Sequence, residues 1–250
     1  MEQNKVRSYF LYAVGEIALV MIGILLALQV NNWNEQRRDL DREQVYQYQL
    51  LENLNTDLGF LKRNLDFYTD VLESGIRVLA YSKTKEIQDN SNWDLVVDAF
   101  YASQIWPVLL DKSTFEELKS SGELSLLRST TLRNALSIYY GLGETRYMQT
   151  IGINPPYRKM SRMLIPYDVQ GYMWDECQKT DGDNQLLVKC DSPISENEAR
   201  KLLTVLIEDK ELMGELSFFM SSIRAGMGPL LEQIKMCENL ISEIEESLNI

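Results

Sequence analysis

The stretch YFLYAVGEIALVMIGILLALQV, residues 9–30, decides how this chain is organised. Its 22 residues contain one charged side chain, Glu16. At about 1.5 Å per residue, a helix of this length extends roughly 33 Å, which is enough to span the hydrocarbon core of a bilayer. Aromatic rings flank it, Tyr9 and Tyr12 on one side and Trp33 on the other, where amphipathic rings favour the membrane interface. The stretch therefore predicts a transmembrane helix.

A cleaved signal peptide is the alternative interpretation of this stretch, because Lys5 and Arg7 supply the positive charge that such signals carry. The apolar run is longer than the roughly 7–15 residues of a signal peptide, and no small-x-small cleavage site precedes Asn31. An uncleaved anchor is therefore the preferred interpretation. It divides the chain into a short N-terminal tail over 1–8, a transmembrane helix over 9–30 and an acidic helical soluble domain over 31–250.

Composition excludes several classes of function. The net charge of −12 lies beyond the span and would repel nucleic acid, which we exclude as a partner. The sequence contains no histidine, the commonest general base and zinc ligand. Its three cysteines have no CxxC spacing, and no glycine-rich phosphate loop follows a predicted strand. We therefore predict no catalytic residues, no metal site and no cofactor, and a protein that is not an enzyme. The sequence does not indicate a small-molecule ligand.

Two heptad seams predict how the soluble domain packs. The first lies on a long helix over about 34–82 that continues the span, and the second lies near the C-terminus. Both repeat apolar residues at alternating spacings of three and four, as in a coiled coil, which calls for a partner helix. We expect the two helices to pack antiparallel within one chain, and packing of each on a second copy is the alternative. The seams are Leu51, Leu54, Leu58, Leu61, Leu65, Tyr68 and Leu72, and Leu230, Ile234, Cys237, Ile241, Ile244 and Leu248.

Shorter helices are expected between the two seams. Ser91 or Asn92 is expected to cap the first helix within about 92–150, and Ser113 with Glu116 forms a capping box for the next. Ser195 with Glu198 forms a second capping box, which opens helices over about 196–248.

The segment over 152–195 is predicted to be an irregular loop region, because it holds four prolines and a TDGDN turn. A strand over 185–190 would have nothing to pair with. The segment from Gly226 to Pro229 is expected to kink or break the path into the last helix. The predicted fold class is therefore all-α, with an N-terminal transmembrane helix that continues into a long heptad-patterned helix and packs in a helical bundle with the C-terminal helix.

One side of the span combines an acid with small residues. On a helical wheel of about 100° per residue, four positions fall within about 60° of Glu16. Because small residues let helices approach closely, we predict that this side packs against a membrane helix of a second copy or of another protein. Two other interpretations of the acid remain open, a proton or cation site and a side chain that reaches the headgroups. This packing face comprises Ala13, Glu16, Val20, Gly23 and Ala27.

Two cysteines bear on the compartment of the soluble domain. Cys177 and Cys190 bracket an Asp- and Gly-rich loop and would form a disulfide in an oxidising compartment but remain thiols in a reducing one. Lysine and arginine counts beside the span slightly favour a cytoplasmic domain. The acids among those arginines, the positive tail and the candidate disulfide favour the opposite side. We therefore predict a single-pass protein of the bacterial inner membrane with a periplasmic domain.

Residues 15–38, GEIALVMIGILLALQVNNWNEQRR, resemble an uncharacterised family of small bacterial membrane proteins. In that family the motif GEI-x-L-V-x-I-G-I-L-x-A-L-Q-x-N-N-W-N-E follows a short tail. A weaker similarity covers TFEELKSSGELSLL at 114–127 and LRNALSIYY at 132–140. The resemblance implies a single-span protein of unassigned function and brings no catalytic residues. It also draws attention to Glu16 and Gly23, which an anchor alone does not need.

These observations predict a membrane-anchored, non-enzymatic helical protein. Its predicted partners are the lipid bilayer and a membrane helix of its own kind or of another protein, and it would act as an assembly, interaction or sensing subunit. The alternative is a proton- or ion-coupled subunit of a membrane complex that uses Glu16.

Overall fold

A single helix, α1, runs from Glu2 to Thr84, through the apolar stretch and on into the body of the protein. No proline occurs in these residues, so nothing in the sequence forces the helix to end. Residues 2–8, expected as a short tail before the span, are part of this helix. The computed structural model describes residues 2–86, 91–107, 109–151, 154–181 and 184–249, and of these it describes the side chains outside 2–14, 18, 142–150, 181 and 184.

The C-terminal helix α8, Lys210–Leu248, packs antiparallel on α1. Near the end of α8, the Gln47 Nε2 atom donates a hydrogen bond to Ser247 Oγ at 3.0 Å. Further along, Cys237 Sγ donates to the carbonyl oxygen of Leu54 at 3.2 Å. Positions later in α1 thus contact positions earlier in α8, as antiparallel packing requires. The predicted packing of the long N-terminal helix on the C-terminal helix is confirmed, and so is the all-α fold class.

The break expected from Gly226 to Pro229 is wrong, because α8 continues through Pro229. An internal proline costs roughly 3 kcal/mol in a helix, since it removes one backbone hydrogen bond. Ile223 and Leu230, on either side of this segment, are both buried in the core. Burial on both sides offsets the local cost and holds the two halves in one helix.

A third helix, α4 (Thr130–Ile151), completes the central bundle by packing along α8. The three helices meet at a buried carboxylate, Asp57, which is 1 % exposed. Its Oδ2 atom accepts a hydrogen bond from the Tyr139 hydroxyl at 3.1 Å, and its Oδ1 atom accepts one from the backbone N–H of Asp111 at 2.7 Å. Gln233 Nε2 on α8 donates to the Tyr139 carbonyl oxygen at 3.1 Å. This network joins α1, α4, α8 and the segment around Asp111.

Four shorter elements cover the bundle. The capping predictions are confirmed for two of them and wrong for one. Ser195 forms the expected capping box, and Ser91, one of the two expected N-caps, forms a capping box with Asp94 that was not predicted. The box at Ser113 is wrong, because Lys112 is the N-cap and Ser113 Oγ instead donates to Asp111 Oδ1 at 2.7 Å. The elements are α2 (Asn92–Tyr101), α3 (Ser113–Ser120), a 3₁₀ turn (Glu123–Leu126) and α7 (Glu196–Glu208).

The segment over 152–195 is mostly regular, which corrects the expected irregular loop. It contains α5 (Pro156–Leu164), α6 (Tyr167–Glu176) and two paired strands. Proline fits the first turn of a helix because no intrahelical N–H bond is needed there, and the prolines before α5 and α6 open those helices. The strands β1 (Gln178–Asp181) and β2 (Asn184–Leu187) pair antiparallel, so the strand near 185–190 does find a partner.

Gly75 is a point of close approach between α1 and α8. A Cβ atom at Gly75 would lie 2.7 Å from Met220 Cγ. We expect Gly75→Ala to lower the free energy of unfolding by about 1–3 kcal/mol, because the Met220 side chain must leave its site. In the Gly75→Ala/Met220→Ala double variant the loss should be smaller than the sum of the single losses, as chemical denaturation of the full chain in detergent would measure.

Gly59→Ala on the same helix is the matched control, because a Cβ there would meet only the end of the flexible Arg63 side chain, 3.2 Å away. Its effect should be independent of Met220→Ala. Strictly additive effects of the changes at 75 and 220 would contradict the close approach.

Candidate functional site

The membrane-proximal part of α1 stands clear of the body. Every described side chain from Gly15 to Arg42 is exposed, including Val20 at 59 % and Trp33 at 64 %. A Cβ atom at Gly23 would meet nothing within 4 Å. Of the predicted packing face, Glu16, Val20, Gly23 and Ala27 are exposed and pack against no other element that the structure describes. Ala13 and the interfacial Tyr9 and Tyr12 have side chains outside the described ones.

This helix is long and apolar enough to cross a membrane. An 18-residue window of it reaches a mean hydropathy of 1.5 with none of the window buried in the protein. A core helix of a soluble domain with this composition would be mostly buried. Length, composition and exposure are together compatible with a membrane anchor.

Glu43 is the first buried residue of α1 among those whose side chains are described. There a polar cluster joins α1 to the residues before α4. Glu43 is buried and pairs with Arg128, whose Nε lies 2.7 Å from Glu43 Oε2 and whose backbone N–H donates to Oε1 at 2.8 Å. Arg42 pairs with Glu123, which also accepts from the Tyr46 hydroxyl at 2.9 Å. Hydrogen bonds from Arg42 and Tyr46 lower the pKa of Glu123. We call these five residues the collar.

The collar was not found from the sequence. Arg42 and Glu43 entered that reasoning only as charges beside the membrane. Their partners lie some 80 residues away, and no local pattern connects the two segments. The collar fixes the direction in which α1 leaves the body.

A polar cleft of about 370 Å³ lies at the other end of α1, where α1, α2 and the strand pair meet. Arg77 and Asp98 dominate it. Arg77 Nη2 and Nε donate to the two carboxylate oxygens of Asp98 at 2.6 Å and 2.8 Å, and the Asp98 side chain is 8 % exposed. The hydrogen bonds that Arg77 donates to Asp98 raise the pKa of Arg77. The lining residues are Asp70, Glu73, Ser74, Arg77, Asp94, Val97, Asp98, Tyr101 and residues 187–190.

Excess negative charge remains in this cleft beyond the ion pair. Burial raises the pKa of Asp70, and the neighbouring carboxylates of Glu73 and Asp66 raise it further. Glu73 lies 3.9 Å from Arg77 Nη1, at the outer limit of an ion pair. The cleft therefore favours cationic over anionic groups.

The disulfide holds one wall of the cleft. Cys177 and Cys190 are bonded, with their Cα atoms 5.0 Å apart. The indole N–H of Trp93 donates to the Cys190 carbonyl oxygen at 3.2 Å, and the Tyr101 hydroxyl donates to the Val188 carbonyl oxygen at 2.8 Å. These contacts fasten the chain after β2 to α2.

The remaining groups that could support chemistry are dispersed. Cys237 is buried, and desolvation raises the pKa of its thiol to about 11. Among the described residues, no three His, Cys, Asp or Glu side chains lie close enough to hold a metal ion. The described part of the chain therefore presents an exposed apolar helix face and a polar cleft as its candidate interaction sites.

Residues 16–159 match a protein family described as a family of unknown function (DUF6090). The chain belongs to this family. The match begins at Glu16 and covers the exposed part of α1, the first seam, the collar and the Arg77–Asp98 pair, whereas the disulfide and α8 lie beyond it. Membership of an uncharacterised family is thus confirmed, and the motif quoted above and a bacterial membrane setting stay predictions. No curated protein and no solved structure matches the chain.

Asp70→Asn should stabilise the protein at neutral pH. A carboxyl whose pKa is raised in the folded state destabilises that state when it is ionised, so removing its charge is favourable above its folded pKa. We expect a gain of at most about 1 kcal/mol, since the side chain is partly solvated. The gain should disappear as the pH falls below about 4, where the unfolded carboxyl is also protonated.

Thermal or chemical unfolding of the two proteins between neutral and acidic pH measures this difference. Asp175→Asn, an exposed change on α6, is the control and should have no such pH-dependent effect. A loss of stability in Asp70→Asn at neutral pH would show that attraction to Arg77 outweighs the repulsion.

Proposed function

We propose that this protein is a non-enzymatic, membrane-anchored subunit that assembles through the packing face of α1. The observation that supports this most directly is the exposure of that face on a helix that continues unbroken into the body. An apolar helix surface of this length is stable only when lipid or another helix covers it.

The composition of the face favours a helix over lipid as its cover. A carboxyl such as Glu16 inside a span costs several kcal/mol unless it is paired, neutralised or hydrated, and such groups usually face other helices. Gly23 and Ala27, on the same side, allow a second backbone to approach closely. The proposed contact is therefore helix to helix, with Glu16 at the interface.

The continuity of α1 gives this assembly a consequence for the body. From the span to Thr84 the helix contains no break, and the collar and α8 hold it from Glu43 onward. A rotation or shift of the span would therefore be passed to the cleft around Arg77. An interaction or sensing role rests on this mechanical connection.

We place the body on the periplasmic side of the bacterial inner membrane. The support is the disulfide between Cys177 and Cys190, because disulfides persist in oxidising compartments. The acidic residues among the arginines beside the span agree with this orientation.

A second candidate function makes the protein a proton- or ion-coupled subunit. It is favoured by Glu16, which is exposed and has no hydrogen-bond or ion-pair partner among the described residues. In an assembled span this carboxyl could take up and release a proton.

Cysteine crosslinking in native membranes tests the packing face. Val20→Cys places a thiol on the face, and oxidation should yield a disulfide-linked dimer or an adduct with another membrane protein. Leu25→Cys, about 160° away from the centre of the face, is the matched control and should crosslink far less. Adding Gly23→Leu to Val20→Cys should abolish the product, because a leucine prevents the close approach.

Equal crosslinking from both positions, or none from either, would overturn the assembly proposal. Glu16→Gln in the Val20→Cys background then separates the two functions. Loss of the crosslink indicates that Glu16 holds the interface, whereas an unchanged crosslink with loss of proton-dependent activity supports the ion-coupled subunit.

Alkylation of intact cells with a membrane-impermeant maleimide tests the orientation. We expect labelling only after reductant is added, because the accessible Cys190 is held in the disulfide and Cys237 is buried. Cys190→Ser should remove most of the reductant-dependent labelling at that position. Labelling that requires permeabilised cells would place the body in the cytoplasm, and labelling without reductant would exclude the disulfide.

A further inference from the structure

Two arginines on one side of α5 sit over the end of α2. Arg158 and Arg162 are one helical turn apart, so both reach the same residues. Arg158 Nη1 donates to the Ser103 carbonyl oxygen at 2.8 Å and to Gln104 Oε1 at 3.2 Å. Arg162 Nε and Nη2 donate to Ser103 Oγ at 3.2 Å and 3.1 Å. We call Ser103, Gln104, Arg158 and Arg162 the arginine site.

Neither guanidinium has a carboxylate partner among the described residues. Every acceptor that they use is neutral, and the guanidinium carbon of Arg162 lies 3.5 Å above the ring of Phe100 and 5.1 Å from that of Trp174. Burial and the charge of Arg158 lower the pKa of Arg162 to about 9, so it remains protonated at neutral pH. Two positive charges therefore repel each other in a partly buried place.

Arg133 and Arg200 also donate to neutral oxygens, but each does so singly. The arginine site differs in that two such guanidinium groups donate to one residue, Ser103. Arg42, Arg77 and Arg128 each pair with a carboxylate. The chain carries 37 acidic residues against 25 basic ones, so carboxylates are not scarce. The carbonyls at the C-terminus of α2 offset only about half of one charge. More than one positive charge is left without compensation.

Gln104 adds an unused donor at the same place. The residue is 1 % exposed, and its Nε2 atom has no hydrogen-bond partner among the described residues. Its Oε1 atom already accepts from Arg158, so the free donor belongs to an amide in contact with that guanidinium. A buried donor without an acceptor costs roughly 1–3 kcal/mol of stability. The arginine site thus has an excess of donors and a deficit of acceptors.

We propose that the arginine site binds a phosphate group of a water-soluble compound. A phosphate dianion matches two uncompensated guanidinium groups in charge, and its several oxygens can accept from both forks and from the Gln104 amide. A monocarboxylate would neutralise only one of the two charges. Both arginines are partly exposed, so the phosphate reaches them from solvent. This site is independent of the assembly proposed for the span.

The distance from the membrane excludes lipid headgroups as the source of the phosphate. Arg158 lies near Tyr68, whose hydroxyl donates to the Trp106 carbonyl oxygen beside the arginine site. Tyr68 is 38 residues beyond Val30 on the unbroken helix α1, or roughly 57 Å along its axis. Inorganic phosphate and small phosphate esters are the two remaining sources.

Calorimetric titration of the full chain in a mild neutral detergent tests the proposal. Sodium phosphate should give saturable one-site binding and raise the melting temperature, whereas sodium chloride at the same ionic strength should do neither. Sodium acetate should bind at least about tenfold more weakly, because it brings one charge instead of two. Glycerol phosphate serves as the ester arm, and tighter binding than that of inorganic phosphate would identify an ester as the ligand.

Charge-removing variants locate the binding. Arg158→Gln and Arg162→Gln should each weaken phosphate binding by about tenfold or more, since each loses a charge-assisted fork. Lys159→Gln removes the same charge from an exposed position of the same helix and is the matched control, with binding unchanged. No phosphate response in the wild-type protein, or an equal loss in Lys159→Gln, would overturn the proposal.

Gln104→Glu provides a test that does not depend on losing stability. The glutamate has the shape of glutamine and would place an anion beside the Arg158 guanidinium. We expect a higher melting temperature without ligand and no further rise with phosphate. A lower melting temperature together with an undiminished phosphate response would show that the arginines do not need an anion, and would overturn the proposal.

Discussion

The antiparallel packing of α8 on α1 is the interaction on which the rest of the structure depends. Without it, the part of α1 beyond Glu43 would be an isolated helix with an exposed leucine seam. The core that it forms is closed by α4 and by hydrogen bonds to the buried Asp57 carboxylate. The packing buries Leu54, Leu61 and Tyr68 of the first seam, whereas Leu51, Leu58 and Leu65 stay half-buried.

The same helix links three regions of different character. The part of α1 before Glu43 is exposed and contains the apolar stretch. The collar then joins α1 to the residues before α4, and the end of α1 supplies Arg77 to the polar cleft. The collar and α8 hold this helix along the body. Under the proposed function, a displacement of the span would therefore move the residues of α1 that line the cleft. The cleft is rich in carboxylates, whereas the arginine site beyond α2 is rich in uncompensated cations.

The predictions that failed rest on local signals. The prolines near α5 and α6 predict breaks, but they stand at helix starts, where proline is favourable. Pro229 predicts a kink or a break, but burial on both sides keeps α8 continuous. Ser113 has the spacing of a capping box, yet its hydroxyl bonds to Asp111 in a turn that Asp57 orders from α1. At Pro229 and Ser113, contacts distant in sequence outweighed a local preference of about 1–3 kcal/mol.

The sequence by itself determined the membrane-competent stretch, the two seams and the all-α class, because each depends on periodicity and hydropathy within one continuous segment. It also pointed to Cys177 and Cys190, which the structure brings within bonding distance. Only the tertiary structure decided which charges pair and which do not. Arg77, Arg128, Arg158 and Arg162 look alike in sequence, and their partners lie between 21 and 85 residues away. Whether an arginine pairs with a carboxylate depends on where the helices bring side chains together. A local sequence pattern does not predict these distances.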